Sequence, residues 1–357
     1  MKISLCMIVK NEEDVLARCL NSIKDAVDEI IIVDTGSTDN TVQIAKSFGA
    51  KVYHFTWVND FSRARNFAFS KATKNYVMWL DADDVVGACE CKKIIELKNN
   101  YDPSISAFYF KYHVGFDENN NVTFHYYRER LFRRDLNPMW VEPIHEVVCY
   151  AGKSQTTDIA IEHRKQKENP PGRNLKIFEH HLHNGLKLSA RLTYYYAREL
   201  MYANKTYKAI KVFEEFLKSD NGWVENKIEA ALCLADCYIK INKKQKAYDI
   251  LYKSFKYDAP RPQVLCKLGE LFLEDNLLNQ AIYFYELALS SKIDNDQSLG
   301  FVETDYYNFI PNIQLCVIYA KLGNNSLAKK YNDIAGNLKP EHKSVLNNNQ
   351  YFKNIGY

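Results

Sequence analysis

Two patterns of apolar and polar residues divide this chain. Through residue 165, short apolar runs alternate with amphipathic stretches, as strands and helices do along an α/β sheet. Residues 3–9, 29–34, 51–55 and 76–80 read as strands, and 13–23, 41–48 and 62–72 as helices, the last capped by Ser62. Residues 107–112 and 121–132 read as antiparallel strands joined by a polar turn at 117–120. A mixed sheet with helices on both faces is the expectation.

Residues 165–173 carry Pro170-Pro171-Gly172 among charges and have no periodicity, so they read as a linker before a helix at 174–182. Beyond residue 190 the strand signal stops and a repeat emerges. The pairs Tyr196-Ala197, Leu234-Ala235 and Leu268-Gly269 are followed three residues on by Leu200, Tyr238 and Phe272, and twelve on by Ala209, Ala247 and Ala281. A fourth copy sets Tyr319, Ala328, Ala335 and Pro340 at matching offsets. Successive shared alanines lie 38, 34 and 47 residues apart. The middle spacing matches the ~34-residue tetratricopeptide period, and the others imply loop insertions. A generic helical bundle is the plainer alternative. The expected layout is an α/β domain at 1–165, a linker and connecting helix at 166–190, all-α tetratricopeptide-like repeats at 191–345, and an asparagine-rich tail or loosely docked cap at 346–357.

Composition narrows the classes. At 357 residues, 46% hydrophobic and 25% charged, the chain is long enough to bury two cores. A net charge of +3 argues neither for nor against a nucleic-acid partner, but the absence of a basic stripe interleaved with aromatics argues against one. The nine cysteines are scattered, and neither Cys89-x-Cys91 nor Cys233-x₃-Cys237 has a second pair at zinc spacing. A reducing compartment is therefore expected rather than a disulfide or zinc framework. The first apolar run is too short for a secretory core, and no segment approaches the ~20 apolar residues that span a bilayer. The expected location is cytoplasmic, without a transmembrane segment.

The richest chemistry lies where a strand stops. Tyr76-Val77-Met78-Trp79-Leu80 runs straight into Asp81-Ala82-Asp83-Asp84. Parallel strands open their carboxyl ends onto a ligand crevice, and carboxylates there must be solvated, paired or bound to a cation. Such a hard oxygen cluster suits Mg²⁺ or Mn²⁺ carrying a phosphate-bearing substrate. An acidic turn capping the next helix is the plainer reading. The first strand leads into Asn11-Glu12 and the second into Asp34-Thr35-Gly36-Ser37-Thr38-Asp39, and in a parallel sheet both share that edge. Glu12 and Asp34 can accept hydrogen bonds from a base or ribose, Gly36 permits a tight turn, and Ser37 or Asp39 can cap the helix from Thr41.

Arg63 and Arg65 open a helix, where cations are disfavoured, which points to a negative partner: Asp60, another acidic neighbour or a phosphate. Arg65 would suit a diphosphate. Downstream, Arg128, Arg130, Arg133 and Arg134 precede Trp140-Val141-Glu142-Pro143-Ile144-His145-Glu146, a segment offering both a metal ligand and a base. His180-His181-x-His183 invites a zinc reading, but its place at a helix end before the repeats favours a solvated linker.

Taken in order, Asn11-Glu12, Val33-Asp34-Thr35-Gly36-Ser37-Thr38-Asp39, Phe61-Ser62-Arg63-Ala64-Arg65-Asn66 and Leu80-Asp81-Ala82-Asp83-Asp84 resemble inverting family 2 glycosyltransferases with the GT-A fold. Arg130-Leu131-Phe132-Arg133 followed by His145-Glu146 is similar to two branches of that clan. One holds the lipopolysaccharide-core β-glucosyltransferase-like enzymes. The other holds the sublancin-type peptide S-glycosyltransferases, which carry tetratricopeptide-like helices after the catalytic domain. The resemblance implies an α/β GT-A domain, a Rossmann-like mixed sheet, moving glucose or N-acetylglucosamine from a UDP-sugar to a peptide, protein or glycan acceptor with Mg²⁺ or Mn²⁺.

The same resemblance implies residue roles. Asn11, Glu12, Asp34 and Ser37 belong to the nucleotide site, with Asp34 and Glu12 on the nucleoside. Arg65 approaches the diphosphate, Asp81 touches ribose or sugar, and Trp140 joins the donor site. Asp83 ligates the metal, with His145 as a further ligand or a diphosphate contact. Glu146 or Asp84 is the base. The repeats are open to holding an acceptor or forming a homodimer. A different class also fits them: a scaffold whose first domain has lost catalysis and whose repeats recruit a protein partner. A sugar nucleotidyltransferase is excluded, because no glycine-rich phosphate loop follows the first strand.

Overall fold

The computed structural model describes residues 1–167, 170–292 and 300–357 and divides into two units, Met1–Lys187 and Leu188–Tyr357. In the first, strands β1 (Ile3–Val9), β2 (Glu29–Asp34), β3 (Lys51–His54) and β4 (Tyr76–Trp79) alternate with helices α1 (Leu16–Ile23), α2 (Thr41–Ser47) and α3 (Phe61–Ser70). There follow β5 (Asp84–Val85), α4 (Ala88–Asn99), β6 (Ile105–Phe116), β7 (Val122–Arg133), β8 (Met139–Val141), β9 (Val147–Cys149), β10 (Lys153–His163) and α5 (Arg173–His183). The strand order is β3-β2-β1-β4-β7-β6-β10-β5. Strands β3, β2, β1 and β4 run parallel, and β7 is antiparallel to both β4 and β6. This is the expected mixed, Rossmann-like sheet.

Strands β1, β2 and β4 read as continuous apolar runs because both faces are covered. Ile3, Leu5 and Met7 pack into one core with α1, while Cys6, Ile31, Val33 and Trp79 pack into another with α3. Parallel pairing sets Val9 opposite Asp34 and Asp34 opposite His54. The polar residues that end these strands therefore share one edge.

The opposite edge is held by Glu29. Its buried carboxylate accepts from the Ser4 hydroxyl (2.6 Å), Lys51 Nζ (2.7 Å), Thr73 N–H (2.9 Å) and the Thr73 hydroxyl (3.0 Å). Burial acts to raise its pKa, but the Lys51 ammonium and these donors outweigh it and hold the group at about 2, against an ordinary 4.5. A depressed folded pKa contributes stability that is complete above 4.5 and lost as pH falls toward 2, on the order of 3 kcal/mol at neutrality. Glu29→Gln is expected to lower the urea midpoint at pH 7. The gap to the unaltered protein should narrow by roughly half at pH 3; an equal gap at both pH values would refute the assignment.

Local differences from the sequence reading have physical causes. Helix α3 starts at Phe61 and is capped by Asp60, not Ser62; the Asp60 carboxylate accepts from the Arg63 N–H (3.0 Å) and from the Ser62 hydroxyl (2.7 Å). Helix α4 was not expected, because it fully buries only Ile94 and so shows little periodicity. Strand β10 was also missed: its first half is polar and exposed, and only residues 159–161 are buried. Residues 346–357, expected as a tail, lie largely in a helix that buries Val345 and Phe352 among exposed asparagines.

The second unit is helical. The pairs α6 (Ala190–Tyr202) with α7 (Thr206–Lys218), α8 (Val224–Lys240) with α9 (Lys244–Ser254), α10 (Pro262–Glu274) with α11 (Leu278–Ser290), and α12 (Phe309–Lys321) with α13 (Asn325–Leu338) precede α14 (Lys343–Asn354). The repeat alanines Ala209, Ala247, Ala281 and Ala328 are all fully buried. Five residues before each stands a turn residue with left-handed backbone: Asn204, Asn242, Asn276 and Gly323, with φ of 57°, 58°, 57° and 75°. Each turn closes in the same way, the next N–H donating back to Leu200, Tyr238, Phe272 or Tyr319. Glycine replaces the small alanine at 269 because a Cβ there would lie 2.9 Å from the ring of buried Tyr285. Among the described residues, no helix is long and apolar enough to cross a membrane.

Candidate active site

The loops after β1 and β2 are stitched together. Asn11, at φ 56°, donates its N–H to Ser37 Oγ (2.9 Å), and its side-chain oxygen accepts from the Thr38 N–H (2.8 Å). The Glu12 N–H donates to Thr41 Oγ1 (2.7 Å). Asp34 is buried and folds onto its own turn, accepting from the Gly36 (3.2 Å) and Ser37 (3.1 Å) N–H groups, with His54 Nδ1 at 3.3 Å. Asn11 and Ser37 thus shape the loops. Glu12 is left half-buried beside the acidic turn; burial, then the nearby Asp83 charge, push its pKa up to about 7.

The three carboxylates of that turn differ sharply. Asp84 has no exposed surface. Its Oδ2 accepts from the Asp81 N–H (3.0 Å) and Arg130 Nη1 (3.0 Å), and its Oδ1 accepts from the Tyr112 hydroxyl (2.8 Å). It cannot reach an acceptor, so the expectation of Asp84 as base is corrected. Asp83 keeps 23% of its side chain exposed and lies 3.4 Å from His163 Nδ1. Burial raises the Asp83 pKa, His163 opposes this, and Asp81 and Asp84 add to it.

His163 arrives from a distant strand. Antiparallel pairing of β5 with β10 sets it opposite Asp84, the Arg164 N–H donates to the Asp83 carbonyl (2.9 Å), and the Tyr112 hydroxyl is 2.8 Å from His163 Nδ1. Asp83, Asp84 and His163 offer ligand atoms within 4.8 Å of one another. His145 belongs to no group of three or more metal-ligating side chains among the described residues, and its ring centroid is 6.1 Å from that of Phe178. The histidine at the acidic cluster is therefore His163, which the sequence reading missed. Its signal was there: Ile159-Ala160-Ile161 stops at a ligand-type side chain, as β4 does.

Arg65 turns inward. It is 8% exposed, and its guanidinium packs against the rings of Trp79 (4.9 Å) and Trp140 (4.8 Å). Nε donates to Glu146 Oε1 (2.6 Å) and Nη2 to Asp81 Oδ1 (2.7 Å). Burial disfavours the Asp81 charge, but Arg65 and Arg130 together hold its pKa down. Two expectations change. The arginine is spent on two acids rather than turned to a diphosphate, and Trp140, itself 2% exposed, offers no free face to a nucleotide. An acidic partner is the other expectation for a cation in the first turns of α3, and Glu146 and Asp81 meet it.

Comparison with known proteins agrees with this layout. A family model for glycosyl transferase family 2 matches residues 4–152. Over 301 residues the chain is 31% identical to a TPR repeat-containing protein of Synechococcus elongatus, covering 84% of this chain and 68% of that protein. Over 359 aligned residues it is 26% identical to the SPbeta prophage-derived glycosyltransferase SunS of Bacillus subtilis, covering 98% of this chain and 74% of that one. Among solved structures, S. aureus TarS is similar at 13% identity and a TM-score of 0.40, over 70% of this chain and 55% of that one, too loosely to transfer any residue's role. The chain belongs to glycosyltransferase family 2, with a GT-A-type catalytic domain followed by helical repeats.

Proposed function

We propose that this glycosyltransferase is a metal-dependent, inverting enzyme that moves a hexose, glucose or N-acetylglucosamine, from a UDP-sugar to a peptide, protein or glycan acceptor. The observation that carries this reading is the gathering of Glu12, Asp81, Asp83 and His163 at one sheet edge, with the Glu12 and Asp83 pKa values raised by burial and by neighbouring carboxylates. A divalent cation relieves that repulsion. The donor set fits Mg²⁺ or Mn²⁺: one carboxylate and one imidazole, with 23% and 26% of their side chains exposed. Asp83 and His163 would hold the ion, and Asp84, engaged on both oxygens, would hold the turn that aims them. When bound, the ion neutralises charge on the diphosphate leaving group.

The rest of the chemistry falls to the chain. Glu12 and Asp34 stand at the nucleoside end of the edge. Asp81, fixed by Arg65 and 34% exposed, stands where ribose or sugar would lie. Glu146 is the base: one oxygen is held by Arg65, and the carboxylate takes the acceptor O–H or S–H proton. The freed lone pair bonds to the anomeric carbon as the carbon–oxygen bond to the diphosphate breaks, and that bonding pair leaves on the β-phosphate oxygen. A single displacement inverts the centre, and no covalent intermediate forms. The similarity to the glycosyltransferase SunS across nearly the whole chain supports a transferase that includes the repeats, and these would recognise the acceptor.

UDP release from UDP-glucose with Mn²⁺, followed by mass spectrometry of peptide, glycan and lipid acceptors, tests this reading. Peptide modification is expected. Modification confined to glycans or lipids would remove the peptide version, and a calorimetric titration without UDP binding would remove the transferase reading itself.

A further inference from the structure

We infer that Arg65 is a positioning residue: through it, helix α3 holds the Glu146 carboxylate against the acidic edge, and it does not contact the donor. This rests on the glycosyl-transfer reading above. Three residues in the first two turns of α3 grip the segment 140–146. The Phe61 N–H donates to the Pro143 carbonyl (2.9 Å). The Asn66 side chain donates to the Trp140 carbonyl (2.8 Å) and accepts from the Trp140 N–H (2.8 Å). Arg65 Nε donates to Glu146 (2.6 Å). Position 65 lies one helical turn beyond 61 and adjoins 66, so one rigid helix makes all three contacts.

The gripped segment needs such support. Glu142 and His145 sit at φ 72° and 51°, left-handed backbone that side chains other than glycine adopt at a cost. A conformation of that kind persists where its surroundings over-determine it. The guanidinium also ties Glu146 to Asp81 on the far side, joining the proposed base to the turn that carries Asp83. Its third nitrogen, Nη1, is buried without a hydrogen-bond partner, and the Trp79 and Trp140 rings pack against the guanidinium from one side. With 9% of the side chain exposed and Nε and Nη2 committed to carboxylates, its strong contacts are to protein.

Arg65→Lys keeps the charge but replaces the fork with one ammonium, which cannot hold both carboxylates in the same geometry. Three readouts are taken: calorimetric binding of UDP with Mn²⁺, UDP release from UDP-glucose, and amide hydrogen exchange over residues 140–147. UDP affinity should stay within about 3-fold, turnover should fall by roughly 10²-fold as expected for a misplaced catalytic group, and exchange over the segment should speed up. In a Glu146→Gln background the same substitution should cost no further turnover.

UDP affinity falling in step with turnover, and further than Asp81→Asn alone lowers it, would make Arg65 a donor contact and overturn the inference. So would unchanged turnover, or an equal loss in the Glu146→Gln background. Asn66→Ala frees Trp140 without stranding a charge and should show the same pattern more weakly, which keeps the test decisive if Arg65→Lys does not fold; unchanged turnover and exchange in that variant would overturn it too. If the unaltered protein binds no UDP, the glycosyl-transfer reading fails separately. Exchange over 140–147 then decides: faster in Arg65→Lys supports the strut, and unchanged overturns it.

Discussion

Asp83→Ala is expected to lower UDP-sugar turnover by roughly 10²–10³-fold and to abolish its response to Mn²⁺. Asp83 is the one carboxylate of the acidic turn that is neither locked to an arginine nor sealed from solvent: Asp81 is held by Arg65, and Asp84 by Arg130. The His163 imidazole faces Asp83, with Nδ1 at 3.4 Å. Stability should change little, because the carboxylate is partly exposed and the turn hangs on Asp84. UDP titrated with Mn²⁺ and without it separates the effects: the metal-dependent part of the affinity should vanish and the metal-free part should remain. Equal turnover in both proteins would remove the metal role from this edge.

Arg130→Met should cost about 3–5 kcal/mol of stability, the largest loss expected from any single change here. Arg130 and Asp84 are both fully buried and paired at 3.0 Å, with the guanidinium stacked on Trp79 (3.8 Å) and Tyr112 (4.3 Å). Methionine restores the apolar packing but leaves the buried Asp84 carboxylate with the Asp81 N–H, the Tyr112 hydroxyl and His163 Nδ1 at 3.3 Å in place of a guanidinium. The melting temperature should fall on the order of 10 °C for a unit of this size. Adding Asp84→Asn should recover part of that loss, because two of the arginine nitrogens, Nε and Nη2, already lack partners and the pair's net worth is below the cost of breaking it. A shift of under about 2 °C for Arg130→Met alone would show that this buried pair does not hold the turn.

Much of the framework was legible from residue order because it rests on local chemistry. Apolar runs ending in Asn11-Glu12, Asp34 and Asp81-Ala82-Asp83 mark parallel strands whose ends share an edge, and the pairing of β2, β1 and β4 follows. The repeat was legible from alanines that must be small wherever paired helices touch. An equally regular signal went unread, the left-handed Asn204, Asn242, Asn276 and Gly323, each five residues before its alanine. Strand β10 and helix α4 stayed hidden because neither buries enough apolar surface to stamp a period on its residues.

The chain by itself determined the sheet, the repeats and the gathering of acids at one edge, since strand direction and side-chain alternation follow from neighbours a few positions apart. Only the tertiary structure decided which acid is free and which is spent. Asp84 is sealed by Arg130 from 46 residues away, and His163 comes to the cluster across 79 residues of chain. Arg65 turns from the expected diphosphate toward Glu146, 81 residues on. Such choices depend on strand register and on burial, and a linear pattern of residue types carries neither.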